Sequence, residues 1–291
     1  MSALLLGGTG RWTDPWHPFA DTNRALVDTA ADVGVPLTPV HDVDQALERF
    51  ASGPLPDLVV WNLGLPRDDQ PVPLPGADAG FRRLLHSTVP MLALHVSSTS
   101  FAGDPDWERA LGGVWVRGMT MHPPSGPCTV RVVDAGHPVT AGLQDFALDD
   151  ERYSYQRVSP DVRVLVDHAH EGRAHPLVWV HERPGGGMTV YSGLGHAAAS
   201  FESASHRRLL GRRSASWRAP PPDAAPRPPR ASRPTRERAK CAPFGMRSGG
   251  ISPARARSSR LCRGPVRRAG DVCACRHAMG TCFARSRERA R

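Results

Sequence analysis

The stretch Tyr191-Ser-Gly-Leu-Gly-His196-Ala-Ala-Ala-Ser-Phe201 decides how this 291-residue chain is read. An apolar run, Met188 to Tyr191, enters a Gly-rich turn that ends on a histidine. A helical pattern with Arg207, Arg208, Leu209 and Leu210 follows. Glycine lets the backbone adopt positive φ and approach a ligand closely. A histidine so placed can titrate near neutral pH or bind a metal through a neutral ring nitrogen. Strand, glycine turn, histidine and helix together outline a site.

Upstream, the same alternation recurs. Residues 3–6, 35–40, 57–61 and 90–95 form apolar runs of strand length. Helical periods separate them. Thr22, Ala25, Leu26, Thr29, Ala30 and Val33 share one face, with Gly34 as C-cap. Asp42 and Gln45 resemble a capping box before Val43, Ala46, Leu47 and Phe50. Residues 77–87 place Phe81, Leu84 and Leu85 inward, and Asp104-Pro105 opens a short helix that Gly112-Gly113 stops. Alternating strands and helices at this spacing imply a parallel sheet covered on both faces. The second half is richer in strands, at 129–134, 162–169, 177–181 and 188–191. Pro184-Gly-Gly-Gly187 is a hairpin signal between the last two.

Composition divides the chain near Gly211. Residues 212–291 hold twenty arginines, one lysine and four acids, so the net charge of +9 belongs to this tail and residues 1–211 are net negative. The tail also carries Cys241, Cys262, Cys273, Cys275 and Cys282, leaving Cys128 alone in the body. A lone cysteine fits a reducing cytoplasm, and cytoplasmic location is the expectation. The N-terminus lacks the basic start and long apolar run of a signal peptide, and no segment approaches a membrane span. The tail's Arg, Pro, Ala and Ser predict disorder. It reads either as a natural basic arm or as an out-of-frame translation. The second reading is favoured by the abrupt shift, the interrupted helix at 205–210, and one Lys against 36 Arg. On that reading nucleic acid is not an expected partner. Cys273 and Cys275 lack the second closely spaced pair of a zinc motif.

Gly7-Gly8-Thr9, Asn62-Leu-Gly64 and His95 fall at the C-terminal ends of strands, where open α/β sheets bind ligands. Gly7-Gly8-Thr9-Gly10 is not a dinucleotide fingerprint and lacks the Lys-Ser/Thr of a phosphate loop, so it reads as a tight turn lining a pocket. Asn62 ends the third strand. His95, followed by Val-Ser-Ser-Thr-Ser, occupies a strand-to-helix elbow of the kind that presents a nucleophile. Asp149-Asp150-Glu151-Arg-Tyr153 offers a carboxylate for general-base or metal duty, or else a solvated loop. His17 precedes the first helix and can reach the strand ends. His122-Pro and His137-Pro lie in loops and, taken singly, read as structural, while His168-Ala-His170 reads as exposed.

Together these segments resemble the ThuA-like (trehalose utilisation) family of the class I glutamine amidotransferase-like superfamily. The resemblance rests on Gly-Gly-Thr9 with His17, on Leu94-His95-Val-Ser-Ser, and on His137-Pro-Val-Thr-Ala-Gly142-Leu with Phe146 and Asp150-Glu151-x-Tyr153. Val190-Tyr-Ser-Gly-Leu-Gly-His196 and Trp115-x-x-Gly-x-x-x-His122-Pro complete it. It covers roughly residues 2–210. It implies an α/β three-layer sandwich, flavodoxin-like or class I glutamine amidotransferase-like, with a mostly parallel central sheet and a β-rich extension. His95 stands where such an amidotransferase needs a cysteine, so glutamine hydrolysis is not expected. The implied function is processing of trehalose or a related sugar or keto-sugar, as a hydrolase or isomerase. The alternative is a non-catalytic carbohydrate-binding module. His95, Glu151 and His196 are the expected catalytic residues. Gly8, Thr9, His17, Asn62, Ser97, His122, Tyr153 and Gly195 are expected around the substrate. His95 and His196 are candidate ligands for a divalent metal, zinc or another transition metal. The expected partners are a small sugar and further copies of the chain, with no membrane.

Overall fold

The structure is a computed structural model that describes residues 1–216, with side chains through residue 211. The basic tail, its five cysteines and the readings attached to them lie outside the described residues. The elements are β1 (Ala3–Gly7), α1 (Phe19–Asp32), β2 (Leu37–Pro39), α2 (Val43–Phe50), β3 (Leu58–Asn62), α3 (Pro75–Leu85), β4 (Met91–Leu94), α4 (Pro105–Leu111), β5 (Gly113–Val114), β6 (Gly126–Val132), β7 (Phe146–Asp150), β8 (Arg157–Val158), β9 (Arg163–His170), β10 (Arg173–Glu182), β11 (Met188–Ser192) and α5 (Ala204–Ser216). The last helix thus runs past the compositional break at Gly211.

Nine strands make one sheet in the order β2-β1-β3-β4-β11-β10-β9-β6-β7. The first five are parallel and the last four continue the sheet antiparallel. This is the expected α/β sandwich with its β-rich extension. Side chains alternate across the parallel strands, so neighbouring apolar residues enter different cores. Leu5, Val60, Leu92 and Val190 pack under α1 and α5 with Leu26, Ala30, Leu209 and Leu210. Leu6, Val59, Trp61, Ala93 and Tyr191 pack under α2, α3 and α4 with Leu47, Phe81 and Trp107. Three layers result.

The local signals hold where they carry a mechanism. Asp42 caps α2 through Gln45 N, and Asp104 caps α4 through Asp106 N and Trp107 N. The Pro184–Gly187 segment closes the β10–β11 hairpin, with Arg183 N bonded to Gly187 O at 2.7 Å. Two readings need correction. Of the two alternatives for the acids at 149–151 the solvated loop falls: Asp149 is exposed but on β7, Asp150 ends that strand at 1% exposure and Glu151 follows at 9%. His168 is not exposed but fully buried on β9, because Tyr153, Ser154 and the β10 residue His175 pack against its ring. Among the described residues no helix is long and apolar enough to cross a membrane.

Candidate functional site

The strand order reverses between β1 and β3, which lie side by side while β2 pairs on the far side of β1. Crevices form at the C-terminal ends of such strands. The ends of β1, β3, β4 and β11 meet there, and a cavity of about 440 Å³ opens above them. Asp14, Trp16, His17, Arg67, Trp115, Arg117, His122, Glu151, Tyr153 and His196 are among its lining residues.

His95 begins the turn after β4 with φ +38°, the left-handed region that costs a non-glycine residue energy. Its backbone is clamped there. Tyr191 Oη donates to His95 O at 2.9 Å, and Gln156 Nε2 donates to Tyr191 Oη at 3.2 Å. Its ring is 1% exposed and stacks on Tyr153 at 4.1 Å. Nδ1 lies 2.8 Å from Gly193 O. A carbonyl oxygen can only accept, so Nδ1 carries the proton and Nε2 turns a lone pair toward Glu151. Burial, with His17 nearby, lowers the imidazolium pKa to about 4 despite Glu151. His95 is therefore neutral at physiological pH.

Glu151 faces it. Oε2 lies 3.3 Å from His95 Nε2 and 3.3 Å from His196 Nδ1, and Oε1 lies 3.6 Å from His122 Nδ1. Burial alone would raise the Glu151 pKa, but the surrounding histidines outweigh it and hold it below the usual carboxylate value. Neither His95 Nε2 nor His196 Nδ1 has a hydrogen-bond partner, and both atoms are buried.

His17 completes the group. Its Nδ1 donates to Asp14 at 2.7 Å, which leaves Nε2 for the cavity. The rings of His17, His95 and His196 form a near-equilateral triangle with centroid separations of 5.3, 5.0 and 5.3 Å. One ligand atom from each, with one oxygen of Glu151, falls within a mutual separation of 4.8 Å. These four residues could hold a metal ion.

The remaining expected contacts have other engagements. Asn62 donates to Thr22 Oγ1 and Asn23 Oδ1, tying β3 to α1. Ser97 Oγ donates to Trp61 O and accepts from Leu63 N. Thr9 Oγ1 points to His41 O. Gly8 is packed beneath Phe19, whose ring would lie 2.3 Å from an added Cβ. Gly195, at φ +111°, makes the turn that delivers His196, and its N–H bonds to Asp150. The His137 motif contributes Val139 and Leu143 to the core under α1 and α5.

Two positioning acids were missed at the sequence level. Asp150 accepts from the backbone N–H of Gly195, His196 and Glu151 at 2.8, 3.1 and 2.8 Å, and so pins the glycine turn to β7. Burial raises its pKa to about 7, against those hydrogen bonds. Asp14 orients His17, and its place three residues earlier in Asp-Pro-Trp-His17 was a readable signal.

The family described as ThuA, trehalose utilisation, matches residues 41–217, more than half of the chain. The match contains His95, His122, Glu151, Tyr153 and His196, and starts after His17. Among solved structures the chain is similar to a ThuA-like protein from Parabacteroides merdae, at TM-score 0.60 and 18% identity over 73% of this chain and 88% of that one. A ThuA-like protein from Bacteroides uniformis gives 0.56 and 17% over 74% and 90%. A GMP synthase protein from Thermoplasma acidophilum gives 0.45 and 15% over 75% and 96%. At these identities the two ThuA-like structures speak for the fold. No curated protein matches the sequence.

Proposed function

We propose, for a chain that belongs to the ThuA (trehalose utilisation) family, that the cavity is the active site of a sugar-processing enzyme and holds a divalent transition metal. The ligands are His17, His95, Glu151 and His196. One observation carries this reading: His95 Nε2 and Glu151 Oε2 face each other at 3.3 Å as two acceptors with no proton to share. Buried acceptors placed so close repel unless a cation lies between them.

The donor set suits such an ion. Glu151 Oε2 keeps 3.3 Å from both His95 and His196, and the four ligand atoms lie within 4.8 Å of one another, so His17, His95, Glu151 and His196 would together hold one such ion. Ligand histidines usually donate their other N–H to a carboxylate or backbone carbonyl. Here His17 donates to Asp14 and His95 to Gly193 O. Three imidazoles and a carboxylate favour zinc or a neighbouring transition metal over magnesium or calcium.

When bound, the cation would polarise a sugar carbonyl or hydroxyl oxygen. The chain supplies the rest. Tyr153 lines the cavity with a phenol that burial keeps protonated, a donor toward a sugar oxygen. His122, 38% exposed at the side chain and backed by Glu151 Oε1, is placed to exchange a proton with a sugar hydroxyl. These are the parts of a hydrolase or isomerase acting on a sugar or keto-sugar of the trehalose-related class.

The test is metal binding by the full chain. Metal-free protein titrated with zinc should take up one equivalent. His95→Ala, the less buried His196→Ala, and Glu151→Gln should each abolish stoichiometric retention while circular dichroism stays native. A folded wild type that takes up no metal would sink the metal reading. Trehalose turnover would then separate an acid–base enzyme from a module that only binds the sugar, which a trehalose-induced thermal shift would reveal.

A further inference from the structure

The mouth of the cavity carries charge that the floor does not use. Arg67 and Arg117 both line it, and both are exposed. Among the described residues neither has a carboxylate partner, so both guanidinium charges at the cavity are uncompensated by an ion pair, unlike that of Arg11 near the same strand ends. The two carboxylates in the cavity face histidines and no arginine, Asp14 beside His17 and Glu151 beside His95, His196 and His122.

Arg67 is also held in shape. Its guanidinium lies over the indole of Trp16, 4.4 Å from the ring centroid. Trp16 is 58% exposed, the most exposed large apolar residue among the described ones. Stacking on an aromatic face holds the planar fork flat and leaves its N–H groups free at the edge, the geometry that receives a carboxylate or phosphate in bidentate fashion. Across the lining, Trp115 stands edge-on to Tyr153 at 4.7 Å and offers apolar surface to a sugar ring.

Resting on the reading of the cavity as a sugar site, we propose that its substrate is an oxyanion-bearing sugar, a sugar acid or a sugar phosphate. Arg67 and Arg117 bind the anionic group at the mouth, and the uncharged part of the sugar reaches the histidines below. Trp16 is a positioning residue that acts through Arg67.

The experiment is calorimetric titration of the full chain with glucose, glucuronate, a glucose monophosphate and inorganic phosphate at low ionic strength. At least one anionic sugar should bind about tenfold or more tightly than glucose, the effect of one charge-assisted hydrogen bond. Arg67→Ala and Arg117→Ala should each erase that preference while leaving zinc stoichiometry intact, and Trp16→Ala should weaken it. Glucuronate and the monophosphate distinguish carboxylate from phosphate. Three results would overturn the proposal: glucose binding as well as both anionic sugars, no anionic sugar binding at millimolar concentration, or a preference that survives both arginine variants. Inorganic phosphate binding as tightly as the monophosphate would overturn the sugar part. Zinc uptake is measured separately, so protein that binds zinc but shows no anion preference loses this proposal alone. Protein that shows the arginine-dependent preference but takes up no zinc loses the metal reading alone.

Discussion

At the scale of single residues, Asp150 separates chemistry from positioning. Its carboxylate meets no cavity and bonds three backbone N–H groups that set where Glu151 and His196 stand. Asp150→Ala should cost about 2 kcal/mol of stability by leaving buried donors unpaired. It should also weaken zinc binding tenfold or more, as loss of an outer-shell support does. Denaturant melts and zinc titration measure the two effects, and unchanged zinc affinity would show that the turn does not depend on this anchor. His95 and His196 were legible because each follows a strand-like run with a chemically informative side chain, and Glu151 because it stands in an acidic cluster. Asp150 was not, because nothing local says that an acid one residue before a candidate base turns toward a glycine loop 45 residues away.

At the scale of elements, helix periods and capping residues were readable, whereas β7 was missed for a specific reason. Its inward positions are Phe146, Leu148 and Asp150. Two apolar residues and a buried acid do not make an alternating apolar pattern. The α2–α3 packing depends on a different local feature. Gly80 presses on α2 so closely that an added Cβ would lie 1.8 Å from Leu47 O. Gly80→Ala should therefore destabilise the protein by about 1–3 kcal/mol, the usual range for overpacking. Zinc stoichiometry should be unaffected, since neither helix carries a ligand. An unchanged melting temperature would mean the helices separate freely.

At the scale of the whole molecule, acid should destabilise the protein through His168. The ring is fully buried on β9, and burial, with Arg152 and His175 nearby, lowers its pKa to about 4 against the Tyr153 carbonyl bond. Unfolding releases it to the ordinary histidine value of about 6.5. Between those values the unfolded chain binds more protons. The contribution of His168 is thus full above about pH 6.5 and is lost as pH falls toward 4. His168→Gln should flatten the dependence of melting temperature on pH in that window, and an equally steep curve would show that His168 is not its source. The expectation of exposure failed here because the face of β9 that carries His168 is covered by the 153–154 segment, whose Tyr153 O and Ser154 Oγ meet the ring, a contact between non-adjacent stretches that no local pattern encodes.

Sequence by itself determined the layers of this protein. Apolar runs of strand length alternate with amphipathic helical periods, and burial preference and backbone geometry convert that alternation into a sheet with two covered faces. It also marked His95 and His196 as candidates for chemistry, since one directly follows a strand and the other ends the glycine turn after one. Tertiary structure alone decided which side chains share that pocket and in what state. His17, His95, Glu151 and His196 come from four strand ends or loops, and their convergence depends on a strand order that places β11 beside β4 and on β7 at the far edge returning its last residues to the centre. The tautomer of His95 follows from Gly193 O, nearly a hundred residues away. Local patterns encode how strongly each residue seeks burial; the meeting of donors and acceptors is a property of the closed chain.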